Sequence, residues 1–317
     1  MSLRPAIEQL YRVFAAYPLR DAIAGCPCCT SDLDQRDLHT APLRDLTVDH
    51  LRHFAFSALF TFGDLADLKH FLPRLFELAA LESFHGPDLE SLYGRLTYGG
   101  LPSWPAHEVA AVRAFTAAHW DAALAGQTAS SADEVLCGAL LIGEEPEPYL
   151  RRWGTSAAHT EELLSFLRTN TGAIIDRRML QNAYYGQGTL AAQQRVVAWL
   201  LDPARVTAFT AEFLATSDPV HAEAVTALEP LAASMCMPVE DVFTGPKGEL
   251  VVTGRVAGGV VATGDRIGVL GSGTAETTMV REVLTGICHR GPARAGHNTA
   301  LVVDPVAVRP GDTVYRD

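Results

Sequence analysis

Basic residues are scarce in this chain. Its 317 residues include 25 lysines and arginines against 37 aspartates and glutamates, which gives a net charge of −12. Residues 236–317 contain 8 of the basic and 9 of the acidic residues. The first 235 residues therefore carry nearly all of the net negative charge. Because a negative surface repels phosphate groups, we expect no non-specific binding of nucleic acid.

Long apolar runs are missing as well. The most apolar stretch, HFAFSALFTF at 53–62, is too short to span a bilayer, so we expect no insertion into a membrane. Arg4, Glu8 and Arg12 interrupt the apolar residues near the N-terminus, whereas a secretory signal needs an unbroken apolar run after its basic start. We therefore expect a cytoplasmic protein.

Sequence motifs of catalysis are also absent. A phosphate-binding loop of the form Gly-x-x-x-x-Gly-Lys-Ser/Thr does not occur, so we expect no GTPase activity. The histidines are scattered, and none has the sequence context of a nucleophile elbow. The sequence therefore favours a non-catalytic protein.

Cysteine is sparse, but three of the six cysteines lie together in GCPCCTSDLDQRDLH (25–39). Cys26 and Cys29 have the Cys-x-x-Cys spacing that supplies two ligands of a tetrahedral zinc site. Cys28 and His39 are candidates for further ligands, and His50 and His53 follow closely in the sequence. A single zinc ion is the cofactor that this pattern suggests.

Two other interpretations of residues 25–39 stay open. A Cys-x-x-Cys pair that contains proline can cycle between dithiol and disulfide, although the strand that precedes this motif in thioredoxin-like proteins is missing here. Free cysteines also pack as small apolar residues without any chemistry.

Helical periodicity dominates the first 235 residues. Apolar residues recur there at three- and four-residue spacing, and short links rich in Gly, Asp and Pro separate the periodic segments. We predict an all-α bundle or stack for 1–235, whose last two helices span 203–215 and 219–235. Pro73 predicts a kink or a break in the helix that begins after Asp64.

The pattern changes at Met237-Pro238. From there onward, short segments with period two, such as ELVVTGRV (249–256), are separated by Gly-rich turns. Short strands at regular spacing predict a small barrel or sandwich. We therefore predict two domains, an acidic helical domain over 1–235 and a β-barrel over 237–317.

Five elements of the C-terminal segment occur in the order found in domain II of the translational GTPases. They are PVEDVF (238–243), VVTGRV (251–256), the turns at Gly259 and Gly264-Asp265, ARAGHN (293–298) and VRPGDTVY (308–315). The segment resembles this family, and elongation factor Tu most closely within it. The resemblance implies a closed β-barrel formed by about a quarter of the chain.

The resemblance also implies a set of binding residues. In elongation factor Tu this barrel holds the aminoacylated 3′ end of tRNA, partly through the Glu-Asp pair that Glu240 and Asp241 match here. Arg255 and Arg294, from the Thr-Gly-Arg and Arg-Ala-Gly motifs, complete the candidate set for a nucleic acid or a protein partner. A second acidic position of the family falls near Leu284, so the pocket is expected to be incomplete or shifted.

The helical part resembles uncharacterised bacterial helical proteins that carry a GCPCC loop. We expect an accessory protein whose helical domain recognises a protein partner and whose barrel docks on that partner or on a ribonucleoprotein. The alternative is a translation-related protein that binds a tRNA 3′ end or another RNA. A second alternative is a zinc- or thiol-dependent protein centred on residues 25–39.

Overall fold

The structure is a computed structural model. It describes residues 2–82, 88–153, 159–202, 206–208, 210–211, 215, 223, 226, 234–246, 248–271, 276–286 and 289–316.

Helices make up the first part of the chain. Their bounds are Leu3–Phe14 (α1), Asp32–Leu38 (α2), Val48–Ser57 (α3), Leu65–Leu81 (α4), Leu89–Tyr98 (α5), Ala106–Leu124 (α6), Ala132–Leu141 (α7), Glu147–Trp153 (α8), Thr160–Arg177 (α9) and Leu190–Leu201 (α10). Among the described residues, no helix is both long enough and apolar enough to cross a bilayer.

Side-chain caps determine where several helices begin. Ser31, Thr47, Asp64 and Ser131 each accept a hydrogen bond from the backbone N–H three residues later, and that later residue bonds back to the N–H of the cap. The break predicted at Pro73 does not occur, since α4 continues through it to Leu81. Buried residues on both sides of the proline hold this helix in the core and offset the lost backbone hydrogen bond.

Contacts divide the chain into two compact units, Met1–Arg152 and Trp153–Asp317. In the first unit, α1 packs against α4 and α6, and α7 packs against α5 and α6. The core of this unit is rich in aromatic rings, for example Phe76 against Tyr93 and Phe115 with ring centroids 5.0 and 5.2 Å apart.

A buried ion pair lies inside the first unit. The ammonium of Lys69 is 2.7 Å from Oε2 of Glu108, and both side chains are at most 6% exposed. The Tyr17 hydroxyl donates to Glu108 Oε1 at 2.6 Å and accepts from Lys69 Nζ at 3.1 Å. The Lys69 ammonium also lies 4.3 Å from the ring centroid of Trp104. Each charge therefore depends on the other for its stabilisation in the core.

His119 of α6 is a fully buried histidine in the same unit. The Thr128 hydroxyl donates to the carbonyl of Ala80, so it accepts a hydrogen bond from Nε2–H of His119 at 2.9 Å. Among the described residues, nothing bonds the buried Nδ1. Burial lowers the pKa of His119 to about 3.

We expect His119 to make the protein sensitive to mild acid. Between its lowered folded-state pKa and an unfolded value near 6.5, the unfolded chain binds a proton that the folded protein does not. The free energy of unfolding should therefore fall by about 2 kcal/mol from pH 7 to pH 5 through this residue alone. Urea denaturation at both pH values should show that His119→Gln lacks this part of the loss. In His107→Gln, which changes an exposed histidine of the same helix, the loss should persist. Equal pH dependence in wild type and His119→Gln would contradict the prediction.

Strands begin at residue 236. Their bounds are Cys236–Thr244 (β1), Leu250–Arg255 (β2), Val260–Val261 (β3), Arg266–Leu270 (β4), Thr277–Thr285 (β5), His289–Arg290 (β6), Ala293–Arg294 (β7), Asn298–Val303 (β8) and Thr313–Arg316 (β9).

Six of these strands close into a barrel. Their order is β4-β9-β1-β2-β8-β5, and β5 pairs again with β4 to complete the ring. Alternate residues point inward, so apolar side chains such as Val252, Ile267, Val280 and Leu301 fill the interior. β6 pairs antiparallel with the end of β5, while β3 and β7 form a separate two-stranded ribbon.

α10 and Arg178, the residue that follows α9, contact the barrel in the second unit. The Cys236 thiol donates to the carbonyl of Leu201 at 3.2 Å, and Gly271 N–H donates to Gln194 Oε1 at 3.1 Å. The guanidinium of Arg178 lies 4.8 Å from the ring centroid of Tyr315. Residues of the helical segment therefore pack directly against barrel residues within this unit.

The predicted fold class, a helical part followed by a small β-barrel, is confirmed. The first strand begins at Cys236. The independence of 237–317 as a domain stays a prediction. The helices predicted over 203–215 and 219–235 lie largely outside the described residues.

Candidate functional site

A shallow groove lies on the outer face of the barrel, where β2, β8 and β5 run side by side. Thr253, Ala300 and Leu284 lie opposite one another across these strands. Because Ala300 has a short side chain, the surface is hollow there, with a volume of about 350 Å³, and Gly254 is part of its lining. Gly286, Asn298 and Thr299 also line it.

A β-bulge places Glu240 at this groove. Val239 pairs with Gly254 and Asp241 pairs with Thr253, so Glu240 is the extra residue of β1. Its exposed side chain belongs to the lining of the groove. A carboxylate in this position can accept hydrogen bonds from hydroxyl or amino groups of a ligand.

The other three residues assigned to binding from the sequence lie outside this lining. Asp241 Oδ1 accepts a hydrogen bond from the backbone N–H of Val242 at 2.8 Å. Arg255 donates through Nε to the carbonyl of Gly296 at 3.2 Å. Arg294 is exposed on the β3–β7 ribbon. Glu240 is thus the member of the set that the structure places in the groove.

Leu284 lies near the position at which the sequence resemblance led us to expect a second acidic residue. Its side chain lines the groove, which makes this side of it apolar. Glu282, two residues earlier, has a different partner, since its Oε1 lies 2.5 Å from Nε of Arg290. The groove therefore offers one carboxylate, an amide and hydroxyl groups beside an apolar surface.

Thr253 and Asn298 are groove residues that sequence reasoning missed. Each belongs to a strand with ordinary alternation, and neither stands out in composition. Their sole signal was position, since Thr253 begins the Thr-Gly-Arg motif and Asn298 ends the Arg-Ala-Gly-x-Asn motif.

The second candidate site is the thiol cluster of Cys26, Cys28 and Cys29. The Sγ atoms of Cys26 and Cys28 are 3.0 Å apart, and those of Cys28 and Cys29 are 3.6 Å apart. All three lie within 4.8 Å of one another, so the cluster can hold a metal ion. Cys26 is partly buried, while Cys28 and Cys29 are exposed.

A tight turn brings these thiols together. The N–H groups of Cys29 and Thr30 both donate to the carbonyl of Cys26 at 2.9 Å. The N–H of Cys26 donates to the carbonyl of Thr61 at 2.7 Å, which anchors the turn on a neighbouring segment. Gly25 allows this approach, because a Cβ there would lie only 2.7 Å from the Thr30 hydroxyl oxygen.

The electrostatics of the cluster differ between its members. The pKa of Cys26 is lowered, chiefly by the hydrogen bond from the Cys28 thiol and next by the backbone N–H of Cys28. The pKa of Cys28 is raised to about 11, first by its bond to the Cys26 thiol and then by its bond to the Cys29 thiol. Cys26 therefore forms a thiolate before Cys28 does.

The histidines near this segment have other partners. His39 bonds the carbonyl of Gln35 through Nδ1 at 2.6 Å and the carbonyl of Arg20 through Nε2 at 2.8 Å, which raises its pKa. His50 accepts from the N–H of its helix cap through Nδ1 at 3.2 Å. His53 lies between Asp34 and the Ser57 hydroxyl, at 3.8 and 3.4 Å. The structure thus brings the three cysteines together and gives each histidine separate contacts.

Solved structures similar to part of this chain include a translation elongation factor. No known protein family and no curated protein matches the chain. Translation elongation factor SelB from Methanococcus maripaludis, solved in its apo form, matches with 24% identity and a TM-score of 0.25. The match covers 26% of this chain and 18% of that one, so it spans less than a fifth of SelB.

Proposed function

We propose that this is a non-catalytic binding protein whose barrel docks, through the Glu240 groove, on a protein or ribonucleoprotein of the translation machinery. The observation that carries the proposal is the bulge in β1, which places an exposed carboxylate beside Leu284 and Thr253. Interfaces need an apolar contact with a few oriented polar groups at its edge, and this groove has both.

The test compares binding by the full chain and by groove variants. In Thr253→Arg a long side chain fills the groove, and in Glu240→Gln the carboxylate is lost without a change of shape. The Thr253→Arg variant should fail to capture the proteins and ribosomal particles that the wild type captures. Their affinity for Glu240→Gln should fall at least about tenfold, since a hydrogen bond to a charged group contributes about 1.5–3 kcal/mol.

Glu276→Gln is the matched control. It removes one negative charge from the barrel outside the groove lining, and a glutamine can still accept from the N–H of Ala307. This variant should bind as the wild type does. If Thr253→Arg captures the same partners as the wild type, docking through the groove is wrong.

A second candidate function is binding of the aminoacylated 3′ end of tRNA. The position of Glu240 favours it, because this residue matches the Glu of the elongation factor Tu pair and lines the groove. Filter binding of charged and uncharged tRNA decides between the candidates. Tighter binding of charged than of uncharged tRNA, weakened by Glu240→Gln, would support binding of the tRNA end. Equal and weak binding of the two tRNA forms would support the docking role instead.

For the thiol cluster we propose a zinc ion as the ligand. Three sulfur atoms within 4.8 Å match the preference of zinc for thiolates on a short Cys-x-x-Cys turn. The metal would close a turn that has few apolar contacts of its own, and so would stabilise the segment around Cys26. Purified protein should then contain about one zinc per chain.

A further inference from the structure

The thiol cluster supplies three ligands, whereas zinc in proteins takes four. Among the described residues, no further histidine, cysteine, aspartate or glutamate belongs to the group. Sulfur atoms at tetrahedral positions around zinc, with Zn–S distances of about 2.3 Å, are roughly 3.8 Å apart. The observed separations of 3.0 and 3.6 Å come close to this value with small rotations of the thiols. With all three sulfur atoms within 4.8 Å of one another, the cluster can supply three corners of a tetrahedron.

The nearby histidines do not close the site in this arrangement. Both ring nitrogens of His39 bond to backbone carbonyls. His50 bonds within the cap of its own helix, and His53 contacts Asp34 and Ser57. Recruiting any of them would break an existing contact, and for His39 it would break two.

The site is also accessible. Cys28 and Cys29 are exposed, so a ligand from outside the chain can reach a metal bound to them. A buried structural zinc site has its ligands covered and its four positions filled by the chain. This cluster has neither property among the residues that the structure describes.

Charge selects the kind of ligand that fits. Binding zinc releases one proton from each thiol to solvent, and three thiolates leave the centre with a net charge of −1. A further thiolate or carboxylate would add negative charge to a part of the chain that already carries nearly all of the excess acidic residues. A neutral donor such as water or imidazole avoids this repulsion.

We infer that the metal held by Cys26, Cys28 and Cys29 keeps its fourth position open for a neutral nitrogen donor from outside the chain, an imidazole being the fitting class. This inference rests on the zinc site proposed above. In the free protein, water occupies the position, and an incoming imidazole displaces it. The site would thereby act as a docking point for an exposed histidine of a partner.

Cobalt(II) in the full-length protein provides the test, because its visible bands report the ligands of the metal. Titration with free imidazole should shift these bands in a saturable way, and azide, which is anionic, should act more weakly. X-ray absorption of the zinc form should show three sulfur atoms at about 2.3 Å and one lighter atom at about 2.0–2.1 Å. Serine in place of any one of the three cysteines should lower the intensity of the sulfur-to-cobalt charge-transfer absorption by about one third. Cys137→Ala, a buried cysteine outside the cluster, should leave it unchanged.

The outcomes separate the two proposals. Protein without bound zinc or cobalt would overturn both the zinc site and the open position. Bound metal with a spectrum insensitive to imidazole would overturn the open position alone, because the chain must then supply the fourth ligand. A cysteine variant that keeps the full absorption would also overturn it, since that residue would not be a ligand.

Discussion

Replacement of Lys69 by methionine should destabilise the protein by about 3–5 kcal/mol, because it leaves the buried carboxylate of Glu108 without its opposite charge. The methionine side chain fills nearly the same space, so the loss reports the charge rather than a cavity. The Tyr17 hydroxyl, 2.6 Å from Glu108 Oε1, would remain as a partner but carries no charge. Urea denaturation at pH 7 measures the effect.

Two further variants test the cause. Lys69→Met/Glu108→Leu removes both charges, so this double variant should be more stable than Lys69→Met alone. Arg52→Met breaks the exposed pair with Asp49 and should cost less than about 0.5 kcal/mol. A double variant no more stable than Lys69→Met would show that the buried charge is not the reason for the loss.

Gly254→Ala is expected to have the second large effect. A Cβ at this position would stand 2.1 Å from the carbonyl oxygen of Pro238 and 3.2 Å from Cγ of Met237. A backbone oxygen cannot rotate away, so β1 and β2 would have to separate beside the bulge. We expect a loss of at least about 3 kcal/mol, which thermal unfolding followed by the β signal in circular dichroism would measure.

The control places the same methyl group where there is room for it. A Cβ at Gly94, inside α5, would have no heavy atom within 4 Å. Gly94→Ala should therefore stabilise the protein by about 0.5–1 kcal/mol, because alanine favours the helix. If Gly254→Ala costs less than about 1 kcal/mol, the strands at the bulge are less rigid than the contacts indicate.

These two sites show why part of the structure escapes sequence reasoning. The helical pattern around Lys69 predicted α4, but it gave no sign that Lys69 pairs with Glu108 in α6. Pro73 predicted a kink or a break in the same helix, and the burial of its neighbours kept α4 continuous. Periodicity records which faces are apolar, and it does not record which distant residue a buried charge meets.

The groove shows the same limit. All four candidates came from motifs of the resemblance: Glu240, Asp241, Arg255 and Arg294. Sequence cannot resolve side-chain direction across a bulge, so it could not separate Glu240 from the other three. The grouping of Cys26, Cys28 and Cys29 followed from their closeness in the chain. Both partners of His39 are backbone carbonyls, those of Gln35 and Arg20. A pattern of ligand residues in the sequence does not reveal such bonds.

The sequence by itself determined the helical first part, the β-barrel after residue 236 and the closeness of the three thiols, because period, turn residues and short spacing are local properties of the chain. Tertiary structure alone decided the groove, since Thr253, Ala300 and Leu284 become neighbours only when β2, β8 and β5 pair in one register. It also decided the direction of Glu240, because Glu240 is the extra residue of β1 between the pairs Val239–Gly254 and Asp241–Thr253. Register and closure are properties of several strands together, and so no single segment of the sequence contains them.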